Sequence, residues 1–192
     1  MKLILASANK KKAAELHALL PASYEIVTLT DVGISEDIPE TGNSFEENAM
    51  QKARYVFERT GENVIADDSG LEVKALKGAP GIYSARYAGE QKSDEDNIQK
   101  LLKELRNKDD RRANFRCVIA LILNGVEYAF DGRCNGSIIY SKRGENGFGY
   151  DPVFVPDGYE ETFAELGNAV KNKISHRAKA IERLIKFLSE KE

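Results

Sequence analysis

Apolar positions recur along the chain at two periods, and these delimit its elements. Short apolar runs bounded by polar turns predict strands at 3–6, 24–29, 64–66 and 71–73. Apolar residues at helical spacing predict helices at 10–20, 43–60 and 93–106. In the second helix Phe45, Ala49, Ala53 and Val56 form the apolar stripe, and Asn48 and Lys52 border it. Asn43 reads as its N-cap, with Glu46 at the capping-box position. Two apolar runs, 115–123 and 127–131, flank Asn124-Gly125, a dipeptide that signals a hairpin. Near the end, Ser175 caps a helix whose apolar face is Ala178, Ile181, Leu184, Ile185 and Leu188. The acidic stretch 31–42 and the glycine-rich stretches 78–89 and 141–152 read as loops. Strand–helix–strand order followed by a hairpin predicts an α/β fold with a mixed sheet. No repeat, low-complexity tract or linker divides the pattern. The expectation is one domain over residues 1–192, long enough for two lobes.

Composition narrows the class of function. The chain is 42% hydrophobic and 31% charged, as in a soluble globular protein. Its 28 basic and 31 acidic residues leave a net charge of −3, against a general nucleic-acid binder, which carries a basic surplus. A local basic pocket for a small anionic substrate remains open. The longest strongly apolar run, 117–123, is too short to span a bilayer, and the apolar start is too short for a signal peptide core. Cys117 and Cys134 form neither a disulfide framework nor a metal-finger spacing. The expectation is a reduced, cytoplasmic protein that engages neither membrane nor nucleic acid.

Five constellations can carry chemistry. At 64–70, Val-Ile-Ala-Asp-Asp-Ser-Gly delivers Asp67 and Asp68 into a Ser-Gly turn. Ligands of open α/β sheets collect beyond the carboxyl ends of strands. Adjacent acids repel unless a cation compensates them, and a divalent metal and lysines are the natural compensators. Neighbours on a strand point to opposite faces, so the two acids are expected to do different jobs. With Glu40 they make an oxygen set of the kind that suits Mg²⁺, the alternative being solvated turn and loop acids. The second constellation, Ser7-Ala8-Asn9-Lys10-Lys11-Lys12, lies at a strand-to-helix junction, where small residues and free N–H groups admit a phosphate. Lysines in a first helical turn oppose the macrodipole, a penalty that a bound polyphosphate reverses. The alternative is an ordinary cap followed by solvated lysines; P-loop spacing is absent.

The third is Lys52, which either snorkels from the apolar face of its helix or points toward an anion. In the fourth, Gly147-Phe148-Gly149-Tyr150-Asp151-Pro152, glycines around an aromatic let Phe148 lie against a flat ligand, where stacking is worth about 1–3 kcal/mol. Asp151 can accept from a base edge; the alternative is a tight turn with Phe148 in the core. The fifth joins Lys171 to Ser175-His176-Arg177, with two cationic side chains at the electrostatically wrong end of the last helix. Arg and His donors there can read a carbonyl oxygen, or be ordinary surface charge. Together the five hold what a nucleoside triphosphate site needs: phosphate donors, metal carboxylates, a stacking ring and edge-reading donors.

The chain resembles the inosine triphosphatase family of house-cleaning nucleoside triphosphate pyrophosphatases, which act on non-standard purines such as ITP, dITP and XTP. The resemblance rests on motifs spanning the whole chain: Ser7, Asn9 and Lys12; Glu40 to Ala49; Ala66 to Gly70; Gly78 to Tyr87; Gly147 to Pro152; and Ser175 to Arg177. It implies an elongated α/β fold, a mixed central sheet flanked by helices, and two lobes with a substrate cleft between them. It further implies that Ser7 to Lys12 hold the triphosphate and that Lys52 is a second phosphate-side cation. Glu40 and Asp68, with Asp67 close by, would bind Mg²⁺; Asp68 would be the general base and Ser69 a substrate contact. Phe148 would stack on the purine, and Gly149, Tyr150 and Asp151 would grip base and sugar. Lys171, His176 and Arg177 would read the 6-oxo group. A homodimer is the implied assembly. Two departures stand out: Ser7 where many members have Thr, and Gly167-Asn168-Ala169-Val170 where many carry acidic residues. The second implies a different local loop shape.

Overall fold

The computed structural model describes residues 1–191. In chain order its elements are β1 (Lys2–Leu5), α1 (Lys10–Leu19), β2 (Glu25–Thr28), α2 (Phe45–Thr60), β3 (Val64–Val73), α3 (Asp94–Glu104), β4 (Arg112–Leu123), β5 (Val126–Ile138), β6 (Phe154–Pro156), α4 (Phe163–Ile174) and α5 (His176–Ser189). The six strands form one sheet in the order β2-β1-β3-β4-β5-β6. β1 is parallel to β2 and β3, whereas β5 and β6 are antiparallel, so the sheet is mixed, as the element order predicts.

Contacts group the chain into two compact units, the first built from residues 1–68, 117–132 and 177 onward, the second from 69–116 and 133–176. The first has a core in which α5, through Ala180, Ile181, Leu184 and Leu188, packs with Leu3, Leu5, Leu16, Ile65, Ile119 and Leu121. The second centres on Leu71, Ile98, Leu101, Phe115, Phe154 and Phe163, with the Phe115 and Phe154 rings edge to face at 4.7 Å. The hairpin forms where Asn124-Gly125 predicts it, with both residues at positive φ (52° and 80°), as a tight right-twisted turn requires. Cys117 and Cys134 are buried and are not joined in a disulfide. No helix among the described residues is long and apolar enough to cross a membrane.

Four expectations change. The predicted break at Asp67–Gly70 does not exist; β3 runs unbroken through Val64–Val73. Both acids find buried partners, so the strand need not turn them out to water. Gly70 serves close approach instead: a Cβ there would strike the Gly81 carbonyl oxygen and the Ser84 hydroxyl, which accepts from Leu71 N at 2.9 Å. The cap of α2 is Ser44, not Asn43; its hydroxyl accepts from Glu47 N at 3.1 Å while Asn43 N donates to Glu47 Oε2 at 2.7 Å. β5 extends past the predicted end at 131 to Ile138, and its far part pairs with β6. Finally, residues before Lys171 form α4 rather than a loop, opened by a capping box of Thr162 and Glu165 and broken at Gly167 (φ 72°).

Candidate active site

In the first unit the site grows from the end of β1. Pairing of β1 with β3 stops at Leu5–Ile65, so Asp67 and Asp68 stand past the carboxyl end of β1, although they lie inside the longer β3. α1 starts at the same end. Asn9 caps it, its Oδ1 accepting from Lys11 N (3.0 Å) and Lys12 N (3.2 Å), and Ser7 Oγ accepts from Asn9 N (3.2 Å). Ala8, Asn9, Lys10 and Lys11 are exposed and Ser7 half-buried. Lys12 differs from its neighbours: it turns inward and places Nζ 3.2 Å from Asp67 Oδ2.

The two acids have separate partners, as alternation along a strand dictates. Asp67 faces Lys12 and, at 3.2 Å, Nη2 of Arg177, whose Nη1 is paired with Glu15 of α1. Burial pushes the Asp67 carboxyl upward, but the charges of Lys12, Arg177 and Lys52 outweigh it and hold the group well below the usual carboxylate range. Asp68 turns to α2. Its Oδ2 accepts from Asn48 Nδ2 at 3.1 Å, and Lys52 Nζ lies 3.7 Å from Oδ1. Here burial prevails: with Glu40 adding to it, it raises the Asp68 carboxyl above its ordinary value despite Lys52 and Lys12. Burial alone would lower the Lys52 ammonium, but Asp68, Glu40 and Asp67 more than reverse this and keep it charged.

Lys52 therefore does not snorkel; it is buried and donates to Glu40 Oε1 at 2.5 Å. Asn48 fastens the Glu40 loop to the strand, accepting from Gly42 N at 2.8 Å with the same amide that donates to Asp68. No group of three or more His, Cys, Asp or Glu side chains is gathered for a metal among the described residues. Glu40 and Asp68, however, both converge on one ammonium group. A pair of carboxylates with the remaining positions left to water and phosphate oxygens is what Mg²⁺ takes, so the donor set fits that ion. Asp67 is committed to Lys12 and Arg177.

In the second unit the segment around Phe148 is held by charged groups. Asp151 is buried, and its Oδ2 accepts from Phe148 N (3.0 Å) and from Lys171 Nζ (2.7 Å). Lys171 lies 4.5 Å from the Phe148 ring centroid, so the ammonium covers one face of that ring. Phe148 itself is half-buried and does not join the core cluster. Tyr150 is buried and donates from its hydroxyl to Ser84 O at 2.8 Å; burial raises its pKa. Gly149 N donates to Asp94 Oδ2 at 2.8 Å. His176 is buried with its ring stacked on Phe115 at 4.9 Å, and Ser69 is half-buried on β3.

The structure thus gathers Lys12, Glu40, Lys52, Asp67, Asp68 and Arg177 in one unit, and Phe148, Tyr150, Asp151 and Lys171 in the other. Three residues lie outside the sequence-level expectation. Glu15 follows Lys12 at helical spacing of three, a signal that both share a face of α1. Ser84 sits in the Gly-Ile-Tyr-Ser motif without drawing notice. Asp94 reads as an ordinary acid of a first helical turn.

Known proteins are similar to this chain over nearly their whole length. The family model described as the Ham1 family matches residues 3–187. A dITP/XTP pyrophosphatase of Flavobacterium johnsoniae is 52% identical over 189 residues, 98% of each chain. One of Bacillus subtilis is 48% identical over 96% of each. Among solved structures, the Staphylococcus aureus Ham1 protein is 45% identical with a TM-score of 0.92, covering 100% of both chains. A nucleoside-triphosphatase/dITP/XTP pyrophosphatase of Mycobacterium abscessus is 46% identical with a TM-score of 0.80, over 96% of this chain and 98% of that one. With near-complete coverage at about half identity, the chain belongs to the Ham1 family.

Proposed function

We propose that the protein is a Mg²⁺-dependent nucleoside triphosphate pyrophosphatase that hydrolyses ITP, dITP and XTP to the monophosphate and pyrophosphate, clearing non-standard purines from the nucleotide pool. The observation that carries this reading is the unequal treatment of two adjacent aspartates. One is held between Lys12 and Arg177, which lower its pKa; the other stands between the Asn48 amide and Lys52, with its pKa raised by burial. Environments that push two neighbouring carboxyls apart assign them different roles. The names of the relatives, dITP/XTP pyrophosphatase, support the substrate class.

In this reading Ser7 to Lys12 and the start of α1 receive the triphosphate, and Lys52 adds charge on the same side. Glu40 and Asp68 would hold Mg²⁺, which when bound neutralises phosphate charge and eases deprotonation of water. Asp68 takes the proton of the water that attacks the α-phosphorus, and pyrophosphate departs. Asp67 keeps Lys12 and Arg177 in place. Phe148 stacks on the purine, with Lys171 setting the ring and Gly149 to Asp151 shaping the loop. The family resemblance adds His176, Lys171 and Arg177 as donors to a 6-oxo group. A 6-amino group in its place leaves a donor unpaired, at about 1–3 kcal/mol each. The family resemblance adds a homodimer as the working assembly, and the cysteine usage a reduced, cytoplasmic setting.

The test is a panel of ITP, XTP, dITP, GTP, ATP and dTTP with Mg²⁺ and with a chelator, scoring pyrophosphate and orthophosphate separately. Metal-dependent release of pyrophosphate from ITP, dITP and XTP, with little from ATP or GTP, is the expected outcome. Orthophosphate as first product would place attack at the γ-phosphorus and refute the mechanism. Tight binding with no turnover would make the protein a nucleotide sensor.

A further inference from the structure

We propose that Asp94 is a positioning residue for the purine: it clamps the peptide after Phe148 and so fixes the ring on which the base stacks. The inference rests on the reading of Phe148 as the stacking residue. It begins with the two amides that bracket Phe148. The N–H of Phe148 donates to Asp151 Oδ2 at 3.0 Å, and the N–H of Gly149 donates to Asp94 Oδ2 at 2.8 Å. Each peptide plane flanking Phe148 is thus held by a carboxylate, and charge-assisted bonds of this kind are the stronger ones. Holding both planes restricts the φ and ψ of Phe148, which aim its Cβ. One face of the ring is already against Lys171.

The two clamps differ in origin. Asp151 lies within the same loop and is buried with Lys171, whereas Asp94 is 55 residues away in sequence, on α3. α3 is a firm mount. Ser93 caps it by accepting from Asp96 N at 3.2 Å, and Ile98 and Leu101 are buried in the core. Asn97 ties it to the preceding segment through Ala88 N (2.7 Å) and Ala85 O (3.0 Å). A carboxylate in the first helical turn is favoured where it stands. Gly149, in contrast, has φ of 61° and nothing near its Cα that a Cβ would meet, so packing contributes little to its placement. The loop carries glycines at 147 and 149, and without the Asp94 bond its conformational freedom has to be lost on binding substrate.

The experiment compares Asp94→Ala, Asp94→Asn, Phe148→Ala and the Asp94→Ala/Phe148→Ala double variant in steady-state hydrolysis of ITP, with melting temperatures for each. Asp94→Ser, a good first-turn residue too short to reach Gly149, replaces the alanine variant if that one does not fold. Losing the clamp is expected to raise KM for ITP about five- to tenfold with kcat within about twofold. Asp94→Asn, which retains an acceptor oxygen, is expected to restore KM to near the parent value. In the double variant the Asp94 change is expected to add nothing to Phe148→Ala. Two results overturn the clamp alone: a raised KM in Phe148→Ala with an unchanged one in Asp94→Ala, or fully additive effects in the double variant. Failure of Asp94→Asn to restore KM overturns it too. An unchanged KM in Phe148→Ala refutes the stacking role itself, and the clamp with it.

Discussion

Replacing Asp67 or Asp68 by asparagine makes one chemical change at adjacent positions of β3, and their surroundings dictate opposite consequences. At Asp67 the lost charge is the shared counterion of Lys12 and Arg177, both within 3.2 Å, and Arg177 is among the most buried side chains of the molecule. Removing one partner of a buried ion pair costs about 3–5 kcal/mol, because the remaining charge stays desolvated. For a chain of this size each kcal/mol lowers the melting temperature by about 2–4 °C, so Asp67→Asn is expected to melt about 6–20 °C below the parent. The sign of the pH dependence follows. A carboxyl whose folded pKa is depressed contributes stability that is fully present above its unfolded value, near 3.9. That contribution is lost only as pH falls through the folded value, so the gap between parent and variant stays constant across neutral pH and closes in strong acid.

Asp68 has a raised pKa, so the fold already disfavours its ionised form. A neutral isostere retains an oxygen to accept from Asn48 and leaves Lys52 its bond to Glu40. Asp68→Asn is therefore expected to melt within about 2 °C of the parent in the presence of a chelator, yet to lose about 10²–10⁴ in kcat as the proposed base. Thermal unfolding by circular dichroism and pyrophosphate release from ITP measure the two quantities. Equal destabilisation by both substitutions, or an Asp68→Asn enzyme within a few-fold of parental kcat, would refute this division of labour.

Two further outcomes follow from packing. Gly70→Ala sets a methyl group against the Gly81 carbonyl and the Ser84 hydroxyl that braces Leu71, so urea unfolding is expected to show a loss of about 1–3 kcal/mol. Burial pushes the Cys117 thiol up to about 12, and Cys134 is buried as well. A thiol-specific disulfide reagent at pH 8 is expected to react with neither in the folded protein and with both in denaturant, and rapid reaction of the native protein would contradict this burial.

The parts legible in the sequence are those whose signal is local. The α2 stripe is buried as its spacing predicts, the Asn-Gly hairpin has the dihedrals its residues favour, and α5 packs the face read from its periodicity. The six motifs identify the family because each keeps several residue types at fixed spacing. β3 was illegible for the opposite reason. Asp-Asp-Ser-Gly has the composition of a turn, and only Lys12, Asn48, Lys52 and Arg177, brought from three helices, make it tolerable as a buried strand. The far part of β5 was hidden by Gly132 and Gly136; at Gly136 a Cβ would strike the backbone of Val155 on the paired strand, so the glycine marks close pairing rather than a break.

By itself, then, the sequence determined the strongly periodic helices, the Asn-Gly hairpin, the family and the list of charged and aromatic residues available to a site, because periodicity, turn chemistry and motif spacing act over a few residues. Only the tertiary structure decided how those charges are paired: that Lys12 and Arg177 belong to Asp67, that Lys52 stands between Glu40 and Asp68, and that Lys171 lies against Phe148 and Asp151. The physical reason is that a carboxylate's pKa and role depend on burial and on charges a few ångströms away in space, and those neighbours are up to 110 residues away along the chain.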